Sequence, residues 1–155
     1  MLTKKESYNV AIVGATGIVG ESLLEILYSR RFPISDIHAV ASKKSKGSKA
    51  KFGDQLLTVE SLDEFNFADI DIAFFSAGSS VSKEYATKAT TQGCIVIDNT
   101  SEFRYEQDIP LVVPEVNPQD IDLYKHKNII ANPNCSTIQM LVALKPLHDT
   151  FCVKH

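Results

Sequence analysis

Cys135 stands in the run Asn132-Pro133-Asn134-Cys135-Ser136-Thr137, after a short apolar stretch at 129–131 and before a helical pattern that begins at Ile138. That order places a thiol at a strand-to-helix turn. Unpaired backbone N–H groups at a helix start, with the positive end of its dipole, stabilise an anion, which suits a thiolate nucleophile. Ser136 and Thr137 add hydroxyl donors beside it. Near the other end of the chain, Gly14, Gly17 and Gly20 punctuate Gly14-Ala15-Thr16-Gly17-Ile18-Val19-Gly20, which follows a β-branched apolar segment at 8–13 without a spacer. Glycines in such a turn let the backbone approach a pyrophosphate and let a helix pack closely on a strand. The two features together imply covalent catalysis beside a bound nucleotide. Each also has a plainer reading, a lone cysteine as a small core residue and a glycine turn of structural use only.

Three further segments could serve that chemistry. An acidic residue about 20 positions past the glycines would hold a ribose 2′-hydroxyl, but Ser42-Lys43-Lys44-Ser45-Lys46-Gly47 carries no carboxylate there. Its cations and hydroxyls, Lys44 and Ser45 foremost, suit a 2′-phosphate, so NADP is expected over NAD. A solvated basic loop is the alternative. Ser76-Ala77-Gly78 follows an apolar run at 70–75, where small residues would let a nicotinamide or ribose lie against backbone. Ser79 or Ser80 as a helix N-cap explains the same residues equally well. Arg104, in Asn99-Thr100-Ser101-Glu102-Phe103-Arg104, offers a planar fork for a phosphate or carboxylate, while its spacing alone also fits a surface ion pair.

A thiol nucleophile normally needs an acid/base partner. His148 lies 13 residues beyond Cys135 on the same helical pattern, which is about 20 Å. His38, His126 and His155 have no evident route to it. The chain therefore reads as holding the nucleophile without its base.

The elements that must position these residues alternate. Apolar runs at 8–13, 37–41, 70–75, 94–97, 111–113 and 128–131 read as strands. Residues 19–27 and 79–92 read as helices, the second with Val81, Tyr85 and Ala89 inward, and Pro118 opens a short one. Residues 43–51 read as a polar loop, 56–67 as ambiguous between a small strand and a turn of helix. Pro146 is expected to kink or stop the helix after Cys135, and 151–155 read as the start of a further strand. Strands apolar at every position, alternating with helices, imply a parallel sheet covered on both faces. The expected fold is α/β, a Rossmann-type doubly wound parallel sheet.

At 155 residues and 17.1 kDa, with 44% hydrophobic residues, the chain suffices for one domain. Its net charge of -3 and pI near 5.8 disfavour a nucleic-acid or anionic-membrane partner. No apolar segment approaches the roughly 20 residues of a membrane span, and no apolar stretch follows Lys4 and Lys5, so a cytoplasmic protein is expected. Three cysteines without Cys-x-x-Cys spacing fit neither a disulfide scaffold nor a zinc site. Cys94 reads as a buried strand residue, and Cys152 has no context that marks it as reactive.

In order along nearly the whole chain, the glycine turn at 14–20, the loop at 42–47, Ser76-Ala77-Gly78, Asp98-Asn99-Thr100-Ser101-Glu102-Phe103-Arg104, Val113-Pro114-Glu115-Val116-Asn117 and the Cys135 segment resemble aspartate-semialdehyde dehydrogenase. The resemblance implies reduction of aspartyl 4-phosphate to aspartate 4-semialdehyde with release of phosphate, on the way to lysine, threonine and methionine. It implies that Cys135 forms an acyl-thioester, that Arg104 holds the substrate phosphate, and that Thr16, Gly17, Ile18 and Val19 with Gly14 and Gly20 hold the pyrophosphate of NADP. Lys44 with Ser45 would take the 2′-phosphate, where the family usually has arginine. Residues 1–134 would form the NADP-binding domain. Residues 135–155 would lead into a second, catalytic and dimerisation domain beyond this chain, which carries the histidine base, and the whole would be a homodimer. N-acetyl-glutamyl-phosphate reductase follows the same logic, but its cysteine segment typically has glycine before the thiol and an aromatic after it, where Asn134 and Ser136 stand here. A nucleotide-binding module without chemistry is the other alternative.

Overall fold

The computed structural model describes residues 4–153. Its elements are β1 (Tyr8–Val13), α1 (Ile18–Ser29), β2 (Ile34–Ala41), β3 (Lys49–Phe52), β4 (Gln55–Thr58), β5 (Glu60–Ser61), β6 (Ile72–Phe75), α2 (Ser79–Thr91), β7 (Ile95–Asp98), β8 (Ile129–Ala131) and α3 (Cys135–Phe151). Three 3-10 segments, Lys43–Ser45, Leu62–Glu64 and Pro118–His126, connect them.

Alternation along β1 decides the architecture. Ala11 and Val13 pack into one core cluster with Ala86 and Ala89 of α2, whereas Val10 and Ile12 pack into another with Leu24 and Leu27 of α1. Successive side chains of a strand point to opposite faces, so β1 is buried on both sides by different helices. The main sheet runs β5-β2-β1-β6-β7-β8, every pairing parallel. Chain order reverses direction between β1 and β6, and in such a sheet the ligand crevice opens at the carboxyl ends of the strands flanking that point. The expected doubly wound sheet is present.

Several local expectations need correction. β2 starts at Ile34, three residues before the apolar run. The supposed polar loop at 43–51 contains a 3-10 turn and then β3, which pairs antiparallel with β4 across the two-residue turn Gly53-Asp54. Lys49-Ala50-Lys51-Phe52 alternates polar and apolar at the strand period, and Ala50 is buried while Lys49 and Lys51 are exposed. Residues 111–113 form no strand, only a single bridge from Leu111 to Ala131. Pro146 does not stop α3, which continues to Phe151. No residue of α3 is buried, so the turn that loses one backbone bond to proline is not enclosed in a core, and the Lys145–Asp149 ion pair at 2.6 Å ties the turns on either side. Phe151 is thus helical. Cys152 closes the helix in the left-handed conformation, φ 49°, and Lys154 and His155 lie outside the described residues.

Candidate functional site

The glycine turn closes on the neighbouring strand end. Gly14, at φ +97°, lies so near the next crossover that a Cβ there would sit 2.8 Å from Ser76 Oγ and 3.1 Å from the Ala77 nitrogen. Ser76 is fixed in turn by its N–H and hydroxyl, both donated to Val13 O at 2.9 and 3.2 Å. A Cβ on Gly20 would meet Gly14 O at 2.2 Å, so the first turn of α1 rests directly on the turn's backbone. Gly17 is the N-cap of α1 and makes no side-chain cap, which leaves the first N–H groups of the helix open to an anion.

A cavity of about 640 Å³ opens at this point, lined by Gly14, Thr16 and Gly17 on one side and Ser76 and Ala77 on another. Ser42, Lys43 and Lys44 form its rim. Lys46 is engaged by Glu64 at 2.5 Å and holds that carboxyl below its ordinary range, whereas Lys43 and Lys44 have no salt-bridge partner among the described residues. Ser45 sits behind the rim in the 3-10 turn, its N–H donated to Ser42 O. Ile18, Val19, Gly20 and Gly78 do not line the cavity. Gly78, φ +100°, is the N-cap of α2, and the Ser79 hydroxyl shares a hydrogen bond with Ser101, so neither Ser79 nor Ser80 is the cap.

Sequence reasoning missed the cavity's far wall. Leu62, Asp63, Val81, Glu84 and Tyr85 complete it. The Tyr85 hydroxyl donates to Asp63 Oδ1 at 2.9 Å, and that carboxylate, with burial adding to it, pushes the phenol up to about 12. Asp63 lies in the stretch that read as ambiguous, so only the fold could bring it here.

Arg104 and Cys135 lie just past the ends of β7 and β8. Asp98, wholly buried, accepts hydrogen bonds from Ser82 at 2.6 Å and Thr100 at 2.7 Å, fixing the exit of β7 to α2. Beyond it, Arg104 Nε donates to Asn132 O at 3.0 Å and Nη2 to Asn99 O at 3.2 Å. Among the described residues Arg104 has no carboxylate partner, which removes the surface ion-pair reading. Cys135 opens α3, exposed, behind the N-cap Asn134, whose Oδ1 accepts the Ser136 N–H at 2.9 Å. Cys135 lies three positions, at most about 11 Å of chain, from Asn132, whose carbonyl accepts from Arg104. His148 lies on α3 with Cys135, and the described histidines make no hydrogen bond to the thiol. Cys94 is buried as expected, and burial, with Asp71 nearby, pushes its thiol up to about 12.

Comparison with known proteins gives concordant findings. Residues 9–124 match the family model for the semialdehyde dehydrogenase NAD-binding domain. The chain is 58% identical over 141 residues to an aspartate-semialdehyde dehydrogenase of Legionella pneumophila, covering 91% of this chain and 41% of that protein. Aspartate semialdehyde dehydrogenase II of Vibrio cholerae, solved in complex with ASA, superposes with a TM-score of 0.89 at 53% identity, over 92% of this chain and 47% of that one. The Candida albicans aspartate semialdehyde dehydrogenase solved with NADP gives 0.76 at 31% identity, over 94% and 48%. The chain spans less than half the length of the curated relatives it matches.

Proposed function

Because the chain belongs to the family of the semialdehyde dehydrogenase NAD-binding domain, we propose that it is the cofactor-binding and nucleophile-bearing part of an NADP-dependent aspartate-semialdehyde dehydrogenase. The observation that carries this reading is the placement of Cys135 and Arg104 together at the carboxyl edge of a sheet whose glycine turn opens a cavity fit for a dinucleotide. The fit rests on backbone: side chains at Gly14 or Gly20 would collide with neighbouring atoms, so glycine lets α1 and the next crossover pack close around the turn, and Gly17 leaves the helix start open to a pyrophosphate.

In this reading Cys135 Sγ attacks the acyl carbon of aspartyl 4-phosphate, the C–O bond to phosphate breaks, and a thioester forms. Arg104 takes charge on the departing phosphate. A nicotinamide cofactor bound beside Ser76 and Ala77 would supply the hydride for the thioester. The resulting thiohemiacetal collapses to the semialdehyde and returns the thiolate. Gly14, Thr16 and Gly17 seat the pyrophosphate together with the open N–H groups of Ile18, Val19 and Gly20 at the start of α1, and Ser76 and Ala77, with Gly78 behind them, border the nicotinamide half. Lys44, with Ser45 behind it, faces the 2′-phosphate, and Lys43 and Lys44 on the cavity's rim, neither in a salt bridge among the described residues, support NADP over NAD. The division at residue 134, a homodimer, a cytoplasmic location and a base supplied from outside these 155 residues complete the proposal, so the isolated chain is inactive.

Substrate choice tests it. The complete protein is expected to reduce NADP with aspartate semialdehyde and inorganic phosphate, and not with N-acetyl-glutamate semialdehyde. Turnover confined to the acetylated substrate would establish the reductase alternative instead.

A further inference from the structure

The two residues whose carbonyls hold Arg104 also bond to one another: Asn132 Nδ2 donates to Asn99 Oδ1 at 2.5 Å. We propose that this amide pair is a clasp that sets the Arg104 guanidinium for the substrate's phosphate, which makes Asn99 and Asn132 positioning residues. The proposal rests on Arg104 being the phosphate ligand.

Three observations carry it. First, the clasp sits where the sheet stops. The last ladder bond between β7 and β8 runs from Asn132 N to Asp98 O at 2.8 Å, and Asn99 N turns the other way, to Phe75 O at 2.9 Å. Past that point the side-chain bond ties the two strand exits together, and so fixes the spacing of the carbonyls that Arg104 spans. Second, both acceptors are neutral. A carboxylate would hold the guanidinium by cancelling its charge, whereas two carbonyls hold it and leave the charge for an anion. Third, the bonds engage Nε and one N–H of Nη2. A guanidinium carries five N–H donors, so Nη1 and the second N–H of Nη2 remain, the end of the fork that matches two phosphate oxygens. Misplacing such a group by about 1 Å can cost 100-fold in rate.

The test is a mutant cycle in the complete protein, read as KM for inorganic phosphate in the semialdehyde-oxidising direction. Asn99→Ala and Asn132→Ala are each expected to raise that KM about fivefold or more, with KM for NADP within twofold. The double variant is expected to be no worse than either single one, because one bond is lost in all three. In an Arg104→Ala background, the asparagine changes are expected to have no further effect on phosphate. Full additivity, or an equal effect without Arg104, would overturn the clasp while leaving Arg104 as ligand. If Arg104→Ala itself leaves KM for phosphate unchanged, the phosphate reading of Arg104 fails and the clasp with it. Thermal melting reports folding, and if the alanine variants do not fold, Asn99→Ser and Asn132→Ser carry the same cycle.

Discussion

Three thiols in one chain differ by where the fold puts them. Cys135 is exposed at the N-terminal end of α3, Cys152 is exposed at its carbonyl end, and Cys94 is buried with its thiol held up to about 12. A helix start stabilises an anion and a helix end does not, so exposure alone is not the deciding difference. Iodoacetamide labelling followed by peptide mass is expected to show Cys135 reacting first and Cys152 later. For Cys94 the raised value means that the thiolate appears only as pH climbs from its ordinary 9.0 toward 12, so at pH 8 it is expected to label only on unfolding. Faster reaction at Cys152 or Cys94 in the folded protein would refute the assignment. The cofactor rim can be tested at one residue as well. Lys44→Asp puts a carboxylate where a 2′-phosphate would lie, and titration is expected to show NADPH affinity falling about tenfold or more while NADH affinity changes little. An equal loss for both would remove Lys44 from the phosphate site.

At the scale of elements, the contact between α1 and the glycine turn is the tightest constraint on the site. An alanine Cβ at Gly20 would fall 2.2 Å from Gly14 O and 2.7 Å from the Ala15 Cα, and both obstacles are backbone. Gly20→Ala is expected to destabilise the fold by about 1–3 kcal/mol, or about 2–4 °C in Tm per kcal/mol, and to weaken NADPH binding. An unchanged melting curve would mean that α1 can shift outward without cost. The same elements show why sequence was a good guide to some parts and not to others. β1, α1, α2 and the Cys135 turn are set by local patterns, β-branched runs, glycine spacing and helical periodicity, which act within a few residues. The hairpin of β3 and β4 was hidden by its lysines, because on a strand exposed along one face Lys49 and Lys51 are as compatible with pairing as with a loop. The pairings of Asp63, Tyr85, Asn99 and Asn132 could not be found locally. Asp63 and Tyr85 meet across 22 residues and Asn99 and Asn132 across 33, in each case over a crossover of the sheet.

Across the whole molecule, the sheet acts as a frame with two working points on one edge. The switch between β1 and β6 opens the cavity beside the glycine turn, and the exits of β7 and β8 hold the arginine and lead into the cysteine helix. Buried Asp98 links the second point to α2 through Ser82, and α2 contributes Val81, Glu84 and Tyr85 to the first. One helix therefore touches both points, and the proposed function needs nucleophile and cofactor held side by side there. The most direct measurement of that claim is NADPH formation from aspartate semialdehyde, NADP and phosphate by the complete protein, its Cys135→Ala variant and the isolated 155-residue chain. Turnover is expected from the complete protein and not from the isolated chain, with the Cys135→Ala variant at least about 1000-fold slower. Activity in the Cys135→Ala variant comparable to the unaltered protein would contradict it.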